Sequence, residues 1–246
     1  MKRLCFIALA ILCLGIYQET YAAIRNGYDI ELIKAEKWMH NLKAINQEVL
    51  STAQRMALEE RLKTAHATLK KFRKNQAKTQ ELIEMLRMID PDLYHEINTI
   101  KDCEGTETDV YIKVVDDLGP DLRGATNVHH SDDNPNVYSS EYGDYSVSIR
   151  LITTGPIRPI WILAHELGHV RYQVPHLAEY TAFFQKVYSQ RDYKLFQIGH
   201  HVKDPSHQSV KETMKTFKKS WKAYNRKITW MAKNKSRKTL ASIRAN

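Results

Sequence analysis

Apolar residues recur every three or four positions through much of the first hundred residues, which is the spacing of an amphipathic α-helix. The clearest stripe contains Leu58, Leu62, Ala65, Leu69 and Phe72. A stripe before it contains Leu32, Ala35, Met39, Leu42 and Val49, and one after it contains Leu82, Leu86 and Ile89. Ser51 and Gln54 have the spacing of a capping box at a helix start, and Asp90-Pro91 indicates a helix end. A short fourth segment runs to Ile100. Residues 24–104 are therefore predicted to form a helical region.

The pattern changes to that of strands and loops after residue 104. The stretch "DVYIKVV" (109–115) is β-branched and aromatic. In "YSVSIRLITT" (145–154), apolar and polar residues alternate, which predicts a half-buried strand. Between them, "DDLGPDLRGATNVHHSDDNPN" (116–136) is rich in Gly, Pro, Asp and Asn and predicts a loop.

Two helices are predicted next, on either side of a tight turn. "GPIRP" (155–159) ends the second strand, and Pro159 suits the first turn of a helix that runs to about residue 173. Val174-Pro175-His176 predicts a tight turn, and "LAEYTAFFQKVY" (177–188) predicts a second helix. The core-facing residues of this helix pair are expected to be Leu163, Leu167, Val170, Leu177, Tyr180, Phe184 and Val187.

A long amphipathic helix is predicted at the C-terminus, residues 211–246, with a frayed tail after Lys233. Its stripe comprises Val210, Met214, Phe217, Trp221, Tyr224, Ile228 and Met231, and we expect the whole stripe to pack on a core. The same segment holds twelve Lys and Arg residues and one acid, Glu212, in a chain whose net charge is +9. The basic residues are expected to form its solvated face. Taken together, the elements predict an α+β fold that is mainly helical.

The N-terminus has the pattern of a secretory signal peptide. Lys2 and Arg3 precede an apolar run, "LCFIALAILCLGIY" (4–17), and Thr20 and Ala22 form a small-x-small cleavage pattern. The alternative, a retained membrane anchor, is less favoured because a transmembrane helix needs about 20 apolar residues. We therefore expect residues 1–22 to be removed and the protein to be exported, either to a periplasm or out of the cell.

The motif that carries candidate chemistry is H-E-x-x-H in the first helix of the pair. His165 and His169 are four residues apart, so they project from one helix face and can reach one Zn²⁺ at about 2.0–2.1 Å. Glu166 lies about 100° from His165 around the helix, next to the metal position, where a general base would take a proton from water. Gly168 is unfavourable in a helix, so we expect a neighbouring element to pack closely against it.

"WILAHELGHVRYQ" (161–173) resembles the active-site helix of the zincin superfamily of zinc metallopeptidases. The resemblance implies that His165 and His169 bind one zinc ion per chain and that Glu166 is the catalytic base. It also implies that the strand before this helix lines the cleft and pairs with an extended peptide or protein substrate. Residues 105–210 would then be a zincin-like catalytic core, with the helical region packed on its small sheet.

The third zinc ligand is not given by the motif. Metzincins continue it as H-E-x-x-H-x-x-G-x-x-H, but here Tyr172 and Pro175 occupy the Gly and last His positions. Gluzincins take a glutamate from the next helix, which favours Glu179, because an antiparallel pair places His169 opposite residue 180. The chain thus resembles gluzincins more than metzincins. The other candidates are His176, His200, His201, Asp204 and His207.

Two alternatives to a peptidase remain open. The basic helix suggests a binding protein of the cell envelope that contacts an anionic membrane or polymer. A zincin fold that has lost its activity is the other alternative. We expect no nucleic-acid partner, and the sequence leaves the oligomeric state unknown. Zinc in the purified protein would favour the enzyme, and salt-sensitive binding to liposomes or heparin without metal would favour the binding protein.

Overall fold

A computed structural model of the chain describes residues 24–119, 122–129, 146–189 and 204–245. The predicted signal peptide lies outside these residues. The helices are α1 (Tyr28–Lys43), α2 (Thr52–Ile89), α3 (Pro91–Asn98), α4 (Pro159–Gln173), α5 (Leu177–Ser189) and α6 (His207–Ala245). The strands are β1 (Ile24–Asn26), β2 (Asp109–Val115), β3 (Gly124–His129) and β4 (Ser146–Ile152). The prediction of an α+β, mainly helical fold is confirmed. Within the described ranges, no helix has the length and apolar content needed to cross a membrane.

The four strands form one mixed sheet in the order β1-β2-β4-β3. β1 and β2 are parallel, β2 and β4 are parallel, and β3 runs antiparallel to β4. The register places Thr126 beside Ile149 and Ile149 beside Ile112, so these three side chains share one face. The helical layer covers this face, since residues of α2, α4 and α6 share a core with it.

The helical region consists mainly of a hairpin of α1 and α2. Ser51 caps α2 through a capping box with Gln54, as predicted. The stripe that starts at Leu58 and the stripe that starts at Leu82 belong to one helix of 38 residues rather than to two helices. The prediction for Val49 was wrong: α1 ends at Lys43, and Val49 lies exposed in a short 3₁₀ turn.

Two hydrophobic clusters hold the described residues together. The smaller joins α1 to the first half of α2 and includes Leu32, Met39, Leu58 and Leu69. The larger joins the second half of α2, α3, the sheet, α4 and Phe217 of α6. The second half of the helical region therefore shares one core with the elements that carry the H-E-x-x-H motif.

Two strand predictions needed correction. Residues 124–129 were expected to be loop but form β3. β4 was expected to be half-buried, yet Ser146 and Ser148 are buried as well as Val147, Ile149 and Leu151. No predicted element corresponds to β1. This strand has only three residues, all paired with β2, and so few residues do not form a recognisable strand pattern.

The C-terminal helix packs on the core along its first half, and its described side chains after Tyr224 are exposed or partly exposed. Phe217 is fully buried, and Trp161 of α4 meets it edge-on with ring centroids 5.1 Å apart. Trp221 and Tyr224 extend this contact as partly buried residues. The packing predicted for the end of the stripe was wrong, because Ile228 and Met231 are exposed. The backbone remains helical to Ala245, so the tail is not frayed.

Candidate active site

The H-E-x-x-H motif lies on α4, which begins at Pro159, the residue that the sequence indicated as suited to a helix entry. Leu163, Leu167 and Val170 are fully buried on the core side of the helix. His165 and His169 are half-buried on another side, with ring centroids 5.2 Å apart. Because the rings belong to successive turns of one helix, the two imidazoles form a pair of the kind that binds a single metal ion.

Glu166 is enclosed between α4 and strand β3. Its side chain is 6% exposed, and its Oε2 atom accepts a 2.7 Å hydrogen bond from the hydroxyl of Thr126. Gly124 lies so close that a Cβ atom there would approach Oε1 of Glu166 to 2.5 Å. Burial raises the pKa of Glu166 to about 7, although the Thr126 hydrogen bond favours the charged form and lowers it. A carboxyl group with this pKa can exchange a proton near neutral pH.

His169 is held from its Nδ1 side by the turn that precedes α6. Its Nδ1 atom is 2.7 Å from Oγ of Ser206, and the same Oγ is 2.6 Å from Oδ1 of Asp204. A histidine that binds metal through one ring nitrogen commonly hydrogen-bonds through the other. This arrangement therefore fits a His169 that would hold a metal through Nε2.

Gly168 explains how α6 comes so close to the motif. A Cβ atom at this position would lie 2.7 Å from the Cα of Val210, so the two helix backbones are in near contact. The close packing expected of a neighbouring element is confirmed, and that element is α6. Arg171 adds polar contacts, to Thr213 of α6 at 2.9 Å and to Glu96 of α3 at 2.6 Å.

The candidates for a third ligand occupy different surroundings. Glu179 is exposed and hydrogen-bonds to Tyr172, whose pKa is raised first by burial and then by this carboxylate. His176 stacks on the ring of Tyr172 with centroids 4.5 Å apart. His207 is the first residue of α6. His200 and His201 lie outside the described residues. Among the described residues, no three His, Cys, Asp or Glu side chains converge on one metal position.

Tyr180 was expected to face the core and was given no role by sequence reasoning, but its hydroxyl lies near Asp204, Gln173 and Glu166. Burial is the largest cause that raises its pKa, followed by the negative charge of Asp204, with a smaller contribution from Glu166. Its hydroxyl hydrogen-bonds to Gln173, which favours the charged form. Tyr180 therefore stays protonated at neutral pH. It lies close enough to Glu166 for the negative charge of that carboxylate to raise the pKa of Tyr180. The signal in the sequence was its expected position opposite His169 across the turn.

Among the described strands, the one at the edge of the sheet next to the motif is β3, not β4. β4 was expected to pair with the substrate, but it is hydrogen-bonded to β2 on one side and to β3 on the other. β3 is the last strand of the sheet among the described residues. Since Thr126 of β3 contacts Glu166, a peptide added along its outer edge would pass the motif.

Comparisons of the chain with family models, with curated proteins and with solved structures gave no match. The zincin resemblance accordingly rests on the sequence of the motif and of the segments next to it.

Proposed function

We propose that this chain is an exported zinc-dependent metallopeptidase, with His165 and His169 as zinc ligands and Glu166 as general base. One observation carries the proposal. A buried carboxyl group with a pKa of about 7 lies next to a histidine pair, on the helix face that borders an edge strand. A pKa near the working pH suits a group that must both take up and release a proton.

Two residues of this chain have direct roles in the proposed reaction. Bound zinc would supply a water of lowered pKa and a Lewis acid for the substrate carbonyl. Glu166 accepts the proton of the attacking water and delivers it to the nitrogen of the leaving amine. Tyr180, kept protonated by burial, is a hydrogen-bond donor for the oxygen that becomes negative when the carbonyl is attacked.

The substrate class follows from the sheet edge. Among the described strands β3 lies at the sheet edge, and an edge strand can bind an extended chain through backbone N–H and C=O groups without requiring particular side chains. We therefore propose an extended peptide or an unfolded segment of a protein as substrate. Glu179 remains our proposal for the third ligand, and it would have to leave the exposed position beside Tyr172 to reach the histidines.

Metal analysis tests the ligand pair. The purified protein should hold about one zinc per chain, and His165→Ala and His169→Ala should each lose it. His95→Ala is the matched control, because His95 belongs to the short helix α3. Proteolysis of labelled casein should stop with a chelator and return with added zinc. A metal-free wild-type protein that still cleaves casein would contradict the proposal, and a zinc-loaded protein that never cleaves would indicate an inactive zincin fold.

Export is a separate part of the proposal and rests on residues 1–22. The N-terminal sequence of the protein recovered from the cell envelope or culture medium should begin at Ala23. A mature chain that retains Met1 would contradict it.

The projecting end of α6 favours a second candidate function, binding to an anionic lipid surface. Ile228, Trp230 and Met231 are 46%, 66% and 51% exposed. Residues 225–246 contain seven Lys and Arg and no acid. Exposed apolar and aromatic side chains beside cations are the combination that binds anionic membranes. This function is compatible with catalysis elsewhere in the chain.

Vesicle sedimentation tests the second candidate. The protein should bind phosphatidylglycerol vesicles in low salt and phosphatidylcholine vesicles weakly. Replacing Trp230 with Ala should weaken binding, whereas Trp38→Ala, in α1, should not. Equal binding to both lipids, or none to either, would contradict the proposal, and so would a salt-stable dimer formed through the same residues.

A further inference from the structure

A hydrogen-bond chain links Asp204, Ser206 and His169. Oδ1 of Asp204 accepts from the backbone N–H of Ser206 at 2.8 Å and lies 2.6 Å from its Oγ. Oγ of Ser206 is 2.7 Å from Nδ1 of His169. Ser206 is fully buried, so its hydroxyl contacts protein groups rather than solvent.

The protons in this chain can be assigned from the chemistry of the three groups. A carboxylate only accepts hydrogen bonds, and a hydroxyl has a single proton to donate. Ser206 must therefore donate to Asp204, and Nδ1 of His169 must carry the proton that Ser206 accepts. In the neutral imidazole, Nε2 is then the ring nitrogen that carries the lone pair.

We infer that Ser206 and Asp204 are positioning residues that hold His169 in the Nδ1–H tautomer and so direct Nε2 toward the metal. This inference rests on the proposed function and deepens it. Metal-binding histidines depend on such outer partners for ring orientation and for ligand basicity. Tautomers are normally assigned from the hydrogen-bond network, and here the Asp204–Ser206 bond assigns a proton to Nδ1 of His169.

The same geometry changes the role of Asp204. The sequence makes Asp204 a candidate third ligand, but it lies on the Nδ1 side of His169. The two ring nitrogens point in different directions, so a group bonded through Nδ1 is turned away from a metal on Nε2. Asp204 is thus assigned to the outer partners of His169 and not to the ligands.

The fold makes this chain of bonds rigid. Asp204 forms a tight turn in which its side chain and its backbone carbonyl accept from Ser206 and His207. α6 starts immediately afterwards, and Val210, on its first turn, rests on Gly168. The Ser206 hydroxyl is therefore held beside His169 by the close contact between Val210 and Gly168, the residue that precedes His169.

NMR of the metal-free protein tests the tautomer without any zinc. The ¹⁵N shifts and two-bond couplings of ring-labelled His169 should show Nδ1–H in wild type and a shift toward Nε2–H in Ser206→Ala. Ser220→Ala is the matched control, since Ser220 lies on the same helix and its hydroxyl donates to a carbonyl one turn away. An Nε2–H tautomer in the wild-type protein would overturn the inference. An Nδ1–H tautomer in a protein that binds no zinc would leave it standing and refute the proposed function instead.

Zinc affinity, measured by competition with a chromophoric chelator, tests the roles of Ser206 and Asp204 as positioning residues for His169. Ser206→Ala should weaken zinc binding by roughly tenfold to a hundredfold, the usual effect of losing an outer partner. Asp204→Ala should weaken it similarly, and the double variant should be no worse than either single variant, because both remove one chain of bonds. Asp204→Asn keeps an acceptor for Ser206 and should bind zinc within a few-fold of wild type. The inference would be overturned if Ser206→Ala bound zinc with unchanged affinity. It would also be overturned if Asp204→Asn lost zinc binding as completely as His169→Ala.

Discussion

The hydroxyl of Thr126 donates a 2.7 Å hydrogen bond to Glu166, and this bond joins the edge strand to the motif helix. Burial raises the pKa of Glu166, and the Thr126 hydrogen bond opposes that rise. Strand β3 therefore acts on the proposed base in two ways: it fixes the position of the carboxylate and it limits the increase in its pKa.

Replacing Thr126 with Val should raise the pKa of Glu166 further, since the bond that stabilises the charged form is lost. The acid limb of the kcat/KM profile should move to higher pH, and activity at pH 7 should fall on the order of tenfold. Thr126→Ser keeps the hydroxyl and should retain the wild-type profile. An unshifted acid limb in the Val variant would show that the bond does not control the base.

Replacing Gly168 with Ala should destabilise the fold, although helix propensity alone predicts a gain of about 1 kcal/mol. The added methyl group would meet the Cα of Val210 at 2.7 Å, and a backbone atom cannot rotate away. Overpacking of this kind costs about 1–3 kcal/mol. Urea denaturation of metal-free protein measures the net effect, and a stabilised Ala variant would mean that α6 does not pack where the structure places it.

Replacing Glu166 with Gln should stabilise the metal-free protein at high pH. The pKa of Glu166 is raised from 4.5 to about 7 in the folded state, so the folded protein binds more protons than the unfolded one between these values. Wild-type stability should therefore fall as pH rises from about 4.5 to 7, by up to about 3 kcal/mol, relative to the Gln variant. Denaturation curves at pH 4.5 and pH 8 measure this difference. If the difference in the free energy of unfolding between wild type and the Gln variant is the same at pH 4.5 and pH 8, the raised pKa of Glu166 is contradicted.

Replacing Tyr180 with Phe should lower kcat by about a hundredfold, the usual effect of removing one donor to a developing oxyanion. KM and zinc content should stay close to wild type, since the hydroxyl acts on the reacting oxygen. Tyr224→Phe, on the part of α6 packed against the core, is the control. Full activity in the Phe variant would remove Tyr180 from the mechanism.

Local signals in the sequence were sufficient for the helices that carry the site. Pro159 indicated the start of α4, and the apolar residues of its core side are fully buried. The capping box of Ser51 and Gln54 marked the start of α2. Each of these features depends on residues within a few positions of one another, which is why a periodic pattern can reveal it.

Features that depend on distant residues were missed. β3 contains Gly124 and Asn127, which are poor strand residues, and it exists because β4 pairs with it and Glu166 packs against it. The contact of Ser206 with His169 joins residues 37 positions apart. No local pattern could have placed a buried serine beside the motif, because the packing of α6 on Gly168 creates that contact.

Hydrolysis by Glu166→Gln, compared with its zinc content, tests the central claim most directly. Gln is close in size to Glu and can still accept the Thr126 hydrogen bond, but it cannot take up a proton. The variant should hold as much zinc as wild type and cleave labelled casein at least about a hundredfold more slowly. A zinc-loaded Gln variant that cleaves casein at the wild-type rate would contradict the assignment of Glu166 as the base.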